Sequence, residues 1–211
     1  MTNNIEFINK QIKFISSKLN ELKIDFYIVG AIGAYIDANI PLQRQHDDLD
    51  LMIEEKSVSK LSEIFKETNF DFFDNRFTSN KTLNEYGYPE GEHEVYAKLK
   101  NSDFHIGFFL YYKNKETYTI CEYFNQNGKQ KKLERTLPLE IFNYQYNNNQ
   151  INYLGNIIKV VRKELIYKNK FVMNRKKDLF DIELLEPTLN KDILNKLKGI
   201  SKIRKTTIID I

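Results

Sequence analysis

The residues best suited to chemistry in this chain are three aspartates crowded together, Asp47, Asp48 and Asp50, in the run Arg44-Gln45-His46-Asp47-Asp48-Leu49-Asp50-Leu51-Met52-Ile53. On a strand successive side chains point to opposite faces, so Asp48 and Asp50 project to one side while Leu49 and Leu51 point to the other. Two carboxylates this close raise each other's pKa unless a cation sits between them. Hard oxygen ligands of this kind, completed by the phosphate oxygens of a substrate, are the usual way to hold Mg²⁺. Just upstream, Ile28-Val29-Gly30 ends an apolar run, as a buried strand reaching a tight turn would. Ala31-Ile32-Gly33-Ala34 then opens a helix whose first N–H groups are free to bind an anion. Either piece alone reads as an ordinary turn or a solvated strand edge. Together they make a phosphate cradle facing a metal site.

This order of features resembles the signature of the polymerase-β-like nucleotidyltransferase superfamily: hydrophobic-Gly-Gly/Ser, a short helix, then Asp-hydrophobic-Asp-hydrophobic. It is most similar to the aminoglycoside and lincosamide nucleotidyltransferases, which carry a similar Arg-x-His-Asp-Asp-hydrophobic-Asp run. Ala31 stands where a second Gly or a Ser is usual, which keeps the backbone N–H and loses a hydroxyl contact. Asp103-Phe104-His105 is similar to the context of a third carboxylate in those enzymes. By that resemblance Asp103 completes a triad with Asp48 and Asp50, as a metal ligand or as the base for an attacking hydroxyl. The competing reading is that Asp103 shapes the turn after Asn101-Ser102. Arg175-x-Lys177-Asp178-x-x-Asp181-Ile182 resembles a C-terminal helix of the superfamily, preceded there by a Lys, here Lys168 or Lys170. Its helical spacing makes ion pairing among Arg175, Asp178 and Asp181 the economical explanation.

The resemblance implies transfer of a nucleoside monophosphate from an NTP, ATP foremost, to an acceptor hydroxyl, with release of pyrophosphate. Two Mg²⁺ ions would be held by Asp48, Asp50 and Asp103, and the triphosphate by the backbone N–H groups of Gly30 and Ala31. Arg44 would pair with a phosphate in a fork geometry, and His46 has a strand position matching Asp48 and Asp50. The implied acceptor is a small antibiotic. The alternatives are a toxin–antitoxin type of nucleotidyltransferase acting on RNA or protein, and, given Ala31, a non-catalytic member that binds a nucleotide or a partner.

The elements that must position these residues can be followed along the chain. Ile5, Ile8, Ile12, Ile15, Leu19 and Leu22 recur at three- and four-residue spacing and predict an amphipathic helix over 4–22. A strand at 25–29, a helix at 31–38 broken by Pro41, the aspartate strand, and a helix at 58–67 with Ser57 as N-cap follow. Strands are expected at 70–77, 94–100, 104–112, 117–124 and 133–137, with Asn127-Gly128 as a hairpin turn. Residues 78–93 read as a surface loop carrying Tyr86, Tyr88 and His93. Asn147-Asn148-Asn149 reads as a polar turn before a strand or hairpin over 151–161. The pattern then turns helical to about residue 186, where Pro187 ends it, and a last helix covers 191–197. The expected class is α+β, a mixed sheet flanked by helices: a catalytic core over 1–161 and a C-terminal helical segment over 162–211.

Composition sets the outer bounds. The 211 residues, 41% apolar and 29% charged, describe a globular chain able to bury a core. Lys and Arg number 32 against 29 acids, and the net charge of +3 does not by itself argue for nucleic acid. The single Cys121 excludes an intramolecular disulfide and a multi-cysteine zinc site. No apolar run approaches the ~18 residues of a membrane helix. The opening residues lack a basic-then-apolar signal pattern, so the cytoplasm is the expected compartment.

Overall fold

The computed structural model describes residues 2–78, 81–83, 89–90, 93–173, 175–200 and 204–211. Helix α1 (Thr2–Glu21) opens the chain, and its stripe of Ile8, Ile12, Ile15 and Leu19 is fully buried, as the spacing requires. Next come β1 (Phe26–Ile28), α2 (Gly30–Ala38) and β2 (Asp48–Glu54), then a short 3₁₀ turn leading into α3 (Val58–Phe65). Ser57 makes no side-chain cap to α3, because it lies inside that 3₁₀ turn rather than ahead of the helix.

The sheet continues with β3 (Phe70–Asp74), the two-residue strands β4 (Thr82–Leu83) and β5 (Pro89–Glu90), β6 (Val95–Leu99), β7 (His105–Lys113), β8 (Thr117–Gln126) and β9 (Lys129–Pro138). Asn127 and Gly128 both have positive φ, 54° and 77°, the conformation a two-residue β8–β9 hairpin requires. A helix not anticipated from the sequence, α4 (Leu139–Gln145), precedes β10 (Tyr146–Tyr153) and β11 (Asn156–Val161). The Asn147–Asn149 run lies inside β10 rather than forming a turn, and the β10–β11 register shifts between residues 147 and 151. The C-terminal segment is α5 (Lys163–Met173), α6 (Lys176–Leu185) and α7 (Lys191–Ile200), and then β12 (Lys205–Asp210), which pairs antiparallel with β9.

The main sheet runs β10-β11-β1-β2-β7-β8-β9-β12, and β6 and then β3 branch from β7. Pairings β1–β11 and β2–β7 are parallel and the others antiparallel, which gives the expected mixed α+β sheet. One face is sealed by α1 and α3 through an aromatic cluster in which Phe65 meets Phe14, Phe70, Phe72 and Phe108. On the other, Phe142 of α4 packs against Tyr27, Tyr111 and Tyr118. Leu49, Leu51 and Ile53 belong to the first, fully buried face, so strand alternation turns Asp48 and Asp50 to the second.

Candidate active site

Strand β2 brings Asp48 and Asp50 to the sheet surface at the point where α2 begins. Val29, which precedes the helix, donates its N–H to the Asp50 carbonyl at 2.9 Å, locking strand end to helix start. Gly30 has φ of +64°, and a Cβ there would stand 2.6 Å from Asp50 Oδ2. Only glycine therefore fits this close approach of the helix start to the carboxylate. Helix α2 opens with no side-chain cap, and its first intrahelical bond runs from Gly33 N to Val29 O. The amides of Gly30, Ala31 and Ile32 thus have no carbonyl within the helix to bond. A small cavity lined by Val29, Ala31, Ile32, His46, Asp48 and Asp50 lies at this junction. The cradle and the carboxylate pair expected from the sequence are brought together.

The electrostatics of the pair are unbalanced. His93 Nε2 stands 3.2 Å from Asp50 Oδ1, in ion-pair range. The approach lacks hydrogen-bond geometry, so that buried oxygen has no hydrogen-bond partner among the described residues. Among the described residues no hydrogen bond or ion pair reaches the Asp48 carboxylate. Burial, and then the charge of Asp50, pushes the Asp48 carboxyl above its ordinary value against the opposing charges of Lys177, His105 and Arg44. Burial also pushes Asp50 upward, but His93, with His105 and Lys177, brings its carboxyl below the usual range. Two neighbouring carboxylates with an orphaned buried oxygen form a donor set that fits a hard divalent cation, with phosphate oxygens completing the shell. Among the described residues no group of three or more His, Cys, Asp or Glu side chains is arranged to hold a metal without such help.

Two residues assigned to the site from the sequence have surroundings that the sequence did not show. The β2–β7 register sets His105 beside Asp48 and Gly107 beside Asp50. Asp103 precedes β7 by two residues and is exposed on the turn, and among the described residues no hydrogen bond or ion pair links it to Asp48 or Asp50. Nor does its carboxylate shape that turn: Ser102 Oγ accepts the Phe104 N–H at 3.1 Å. Arg44 does not present its fork to a phosphate position either. It is spent on Asp181, with Nε 2.9 Å from Oδ1 and an Nη 3.0 Å from Oδ2.

His46 is buried, with its ring edge-on to Tyr35 and its Nε2 without a hydrogen-bond partner among the described residues. Burial, reinforced by the Arg44 charge, pulls its pKa down to about 4. Lys168 donates to the Leu197 carbonyl at 2.9 Å, and Lys170 bridges Asp178 and Asp181. Both hold the C-terminal helices in place. Tyr86 and Tyr88 fall outside the described residues.

Sequence reasoning passed over two neighbours of the pair. His93 lies over Gly107, where any Cβ would collide with its imidazole ring. The glycine within the otherwise bulky run of β7 was the available signal, since such a residue marks a close approach. Lys177, the basic residue of α6 whose charge reaches both Asp48 and Asp50, sits between Arg175 and Asp178, which attract attention first.

No family model matches this chain. RecBCD enzyme subunit RecB of Borreliella burgdorferi is 29% identical over 178 residues, which cover 82% of this chain. The chain spans only 14% of the length of that curated relative. The solution structure of antibiotic-resistance factor ANT(2'')-Ia matches with a TM-score of 0.60 at 14% identity, over 93% of this chain and 92% of that one. The crystal structure of ANT(2'')-Ia in complex with adenylyl-2''-tobramycin gives 0.57 at 14% identity, over 92% and 95%. The lincosamide antibiotic adenylyltransferase LnuA, lincomycin-bound, gives 0.56 at 14% identity, over 85% and 97%. This chain has the fold of aminoglycoside and lincosamide nucleotidyltransferases.

Proposed function

We propose, from that fold and the unbalanced aspartate pair, that this chain is a nucleotidyltransferase that moves a nucleoside monophosphate from an NTP to a hydroxyl of a small acceptor of the aminoglycoside or lincosamide kind. The observation that carries the reading is the orphaned Asp50 Oδ1 beside Asp48, set against the uncapped start of α2. In the reaction the acceptor oxygen bonds to the α-phosphorus, the bond from that phosphorus to the α,β-bridging oxygen breaks, and pyrophosphate leaves.

Asp48 and Asp50 would hold Mg²⁺, which when bound offsets the charge that develops on the phosphates. The free amides of Gly30, Ala31 and Ile32 bind phosphate oxygens, and Ala31 serves as well as Gly because only its N–H is used. Lys177 adds positive charge from α6. The hydroxyl proton has two candidate acceptors beside the pair, His105, whose strand pairs with Asp48, and Asp103 two residues ahead of it. Catalysis in this arrangement is positioning and charge stabilisation, without a covalent enzyme intermediate.

The test is transfer of label from α-³²P-ATP, with Mg²⁺, to a panel of aminoglycosides, lincosamides, RNA and protein. Labelled tobramycin- or lincomycin-type product that disappears in Asp50→Asn supports the proposal. Label confined to RNA or protein replaces the acceptor, and nucleotide binding without any transfer removes the activity.

A further inference from the structure

Buried polar atoms in folded proteins have partners, so each exception asks for an explanation. His46 is such an exception. It is 2% exposed, and its Nε2 meets no hydrogen-bond partner among the described residues. Its surroundings do not account for that atom. The His46 backbone N–H is held by Asn4 Oδ1 at 3.2 Å, and its ring meets Tyr35 edge-on at 5.9 Å. These contacts fix the position of the residue and do nothing for Nε2. A structural histidine whose ring served only to fill space could be replaced by an apolar residue without this cost, because an unsatisfied buried donor or acceptor is destabilising.

His46 also lines the small cavity with Val29, Ala31, Ile32, Asp48 and Asp50. The residues around it carry three kinds of group without a partner in the helix or the side-chain network of the described residues: the first amides of α2, the buried Asp50 Oδ1, and His46 Nε2. The amides are donors, the carboxylate is an acceptor, and Nε2 is a donor in one neutral tautomer. A water molecule could satisfy Nε2 alone. An anion carrying a divalent cation satisfies all three, with oxygens for the amides and the imidazole and the cation for the carboxylates.

We infer that His46 is a phosphate-binding residue, donating from Nε2 to a non-bridging oxygen of the metal-bound triphosphate that also caps α2. The assignment rests on the nucleotidyl-transfer reading and adds a side-chain donor to a cradle otherwise made of backbone. It also gives a reason for the place of the histidine in Arg44-x-His46-Asp47-Asp48. Two residues ahead of Asp48, in the segment that leads into β2, His46 lines the same cavity as Ala31 and Ile32 at the start of α2.

The experiment titrates inorganic tripolyphosphate with Mg²⁺ into the full chain by calorimetry, for wild type, His46→Phe and His46→Gln. Phe keeps the ring against Tyr35 and removes the donor, whereas Gln keeps a donor near the Nε2 position. A hydrogen bond to a charged phosphate predicts an affinity loss of about tenfold or more in His46→Phe, with most of it recovered in His46→Gln.

A second measurement does not depend on the His46 variants folding. The chain has 3 histidines, so the imidazole ¹⁵N signals can be assigned by substituting His93 and His105, and the His46 Nε2 signal should move when Mg²⁺-tripolyphosphate is added to wild type. Unchanged affinity in His46→Phe, or a His46 signal indifferent to saturating ligand, overturns the inference and leaves nucleotidyl transfer standing. A wild-type chain that binds tripolyphosphate through His46 but transfers no nucleotide keeps the inference and removes the activity. A wild-type chain that does not bind Mg²⁺-tripolyphosphate overturns both.

Discussion

The chain contains two pairs of close aspartates in opposite electrostatic conditions. On α6, Asp178 and Asp181 are fully buried and surrounded by cations. Lys170 Nζ stands 2.9 Å from Asp178 and 2.6 Å from Asp181. Arg175 Nε is 2.7 Å from Asp178. Arg44 takes Asp181 in a fork, and the Tyr35 hydroxyl donates to the same carboxylate. On β2, Asp48 has no such partner among the described residues, and Asp50 has only His93 at a poor angle. Burial acts upward on all four carboxyls. On α6 it is overcome by hydrogen bonds and charge, whereas at Asp48 it is reinforced by the neighbouring aspartate. A carboxylate pair whose charge is matched from within the chain is scaffold. On the proposed reading the unmatched pair is where a cation from outside would act, and the scaffold pair holds α6, with Lys177, against it.

The largest effects should separate the two pairs by kind. Asp50→Asn is expected to lower nucleotide transfer by about 10³-fold, the scale of removing one preorganised electrostatic partner, while its urea midpoint falls only slightly, because its lowered carboxyl is held by His93 alone at close range. Asp181→Asn leaves Arg44 and Lys170 without their acceptor in a buried place, and should lower unfolding stability by about 3–5 kcal/mol. Activity and urea curves on both variants break the comparison if Asp50→Asn unfolds the chain while Asp181→Asn stays stable.

An intermediate effect comes from cation binding itself. A ligand that binds only the folded state adds about 2.7 kcal/mol at a hundred times its dissociation constant. Mg²⁺ with tripolyphosphate should therefore raise the melting temperature of wild type and of Asp178→Asn by similar amounts. It should leave the double variant Asp48→Asn/Asp50→Asn unmoved. A shift preserved in the double variant would place the bound cation away from β2.

What was readable in the residues was what depends on neighbours in sequence. The α1 stripe, the alternation that exposes Asp48 and Asp50, and the Asn127-Gly128 turn are all set within a few positions. What was not readable depends on pairing between distant segments. Asp103 stands in the right order for a third carboxylate, but β7 begins only at His105 and its register with β2 carries His105 to Asp48. Arg44 reads as a phosphate fork until α6 arrives with Asp181, 137 positions away. His93 becomes a neighbour of Asp50 only once the chain folds back over Gly107. β12 was missed for a different reason. All six of its residues are exposed, so burial imposes no alternation on Lys205-Thr206-Thr207-Ile208-Ile209-Asp210 that a sequence pattern would reveal.

The smallest effect is one of pH, and its sign differs between the pairs. Asp48 is raised above its ordinary value, so the folded chain binds its proton more tightly than the unfolded chain, and stability falls as pH rises through the folded pKa. The cost is present in full above that pKa and is relieved as pH drops toward the ordinary carboxylate value of about 4. Asp178 and Asp181 are lowered, so their contribution is present in full above about pH 4 and lost only as pH falls through their folded values. Asp48→Asn, measured without metal, should therefore be more stable than wild type at pH 7 by at most about 1 kcal/mol. That advantage should shrink steadily between pH 7 and about 4. The deficit of Asp181→Asn should stay level over the same window and narrow only below it. Urea midpoints at half-unit pH steps decide the matter. An Asp48→Asn advantage that does not change with pH would mean that Asp48 is already matched by a partner in the chain, which would remove the contrast between the two pairs.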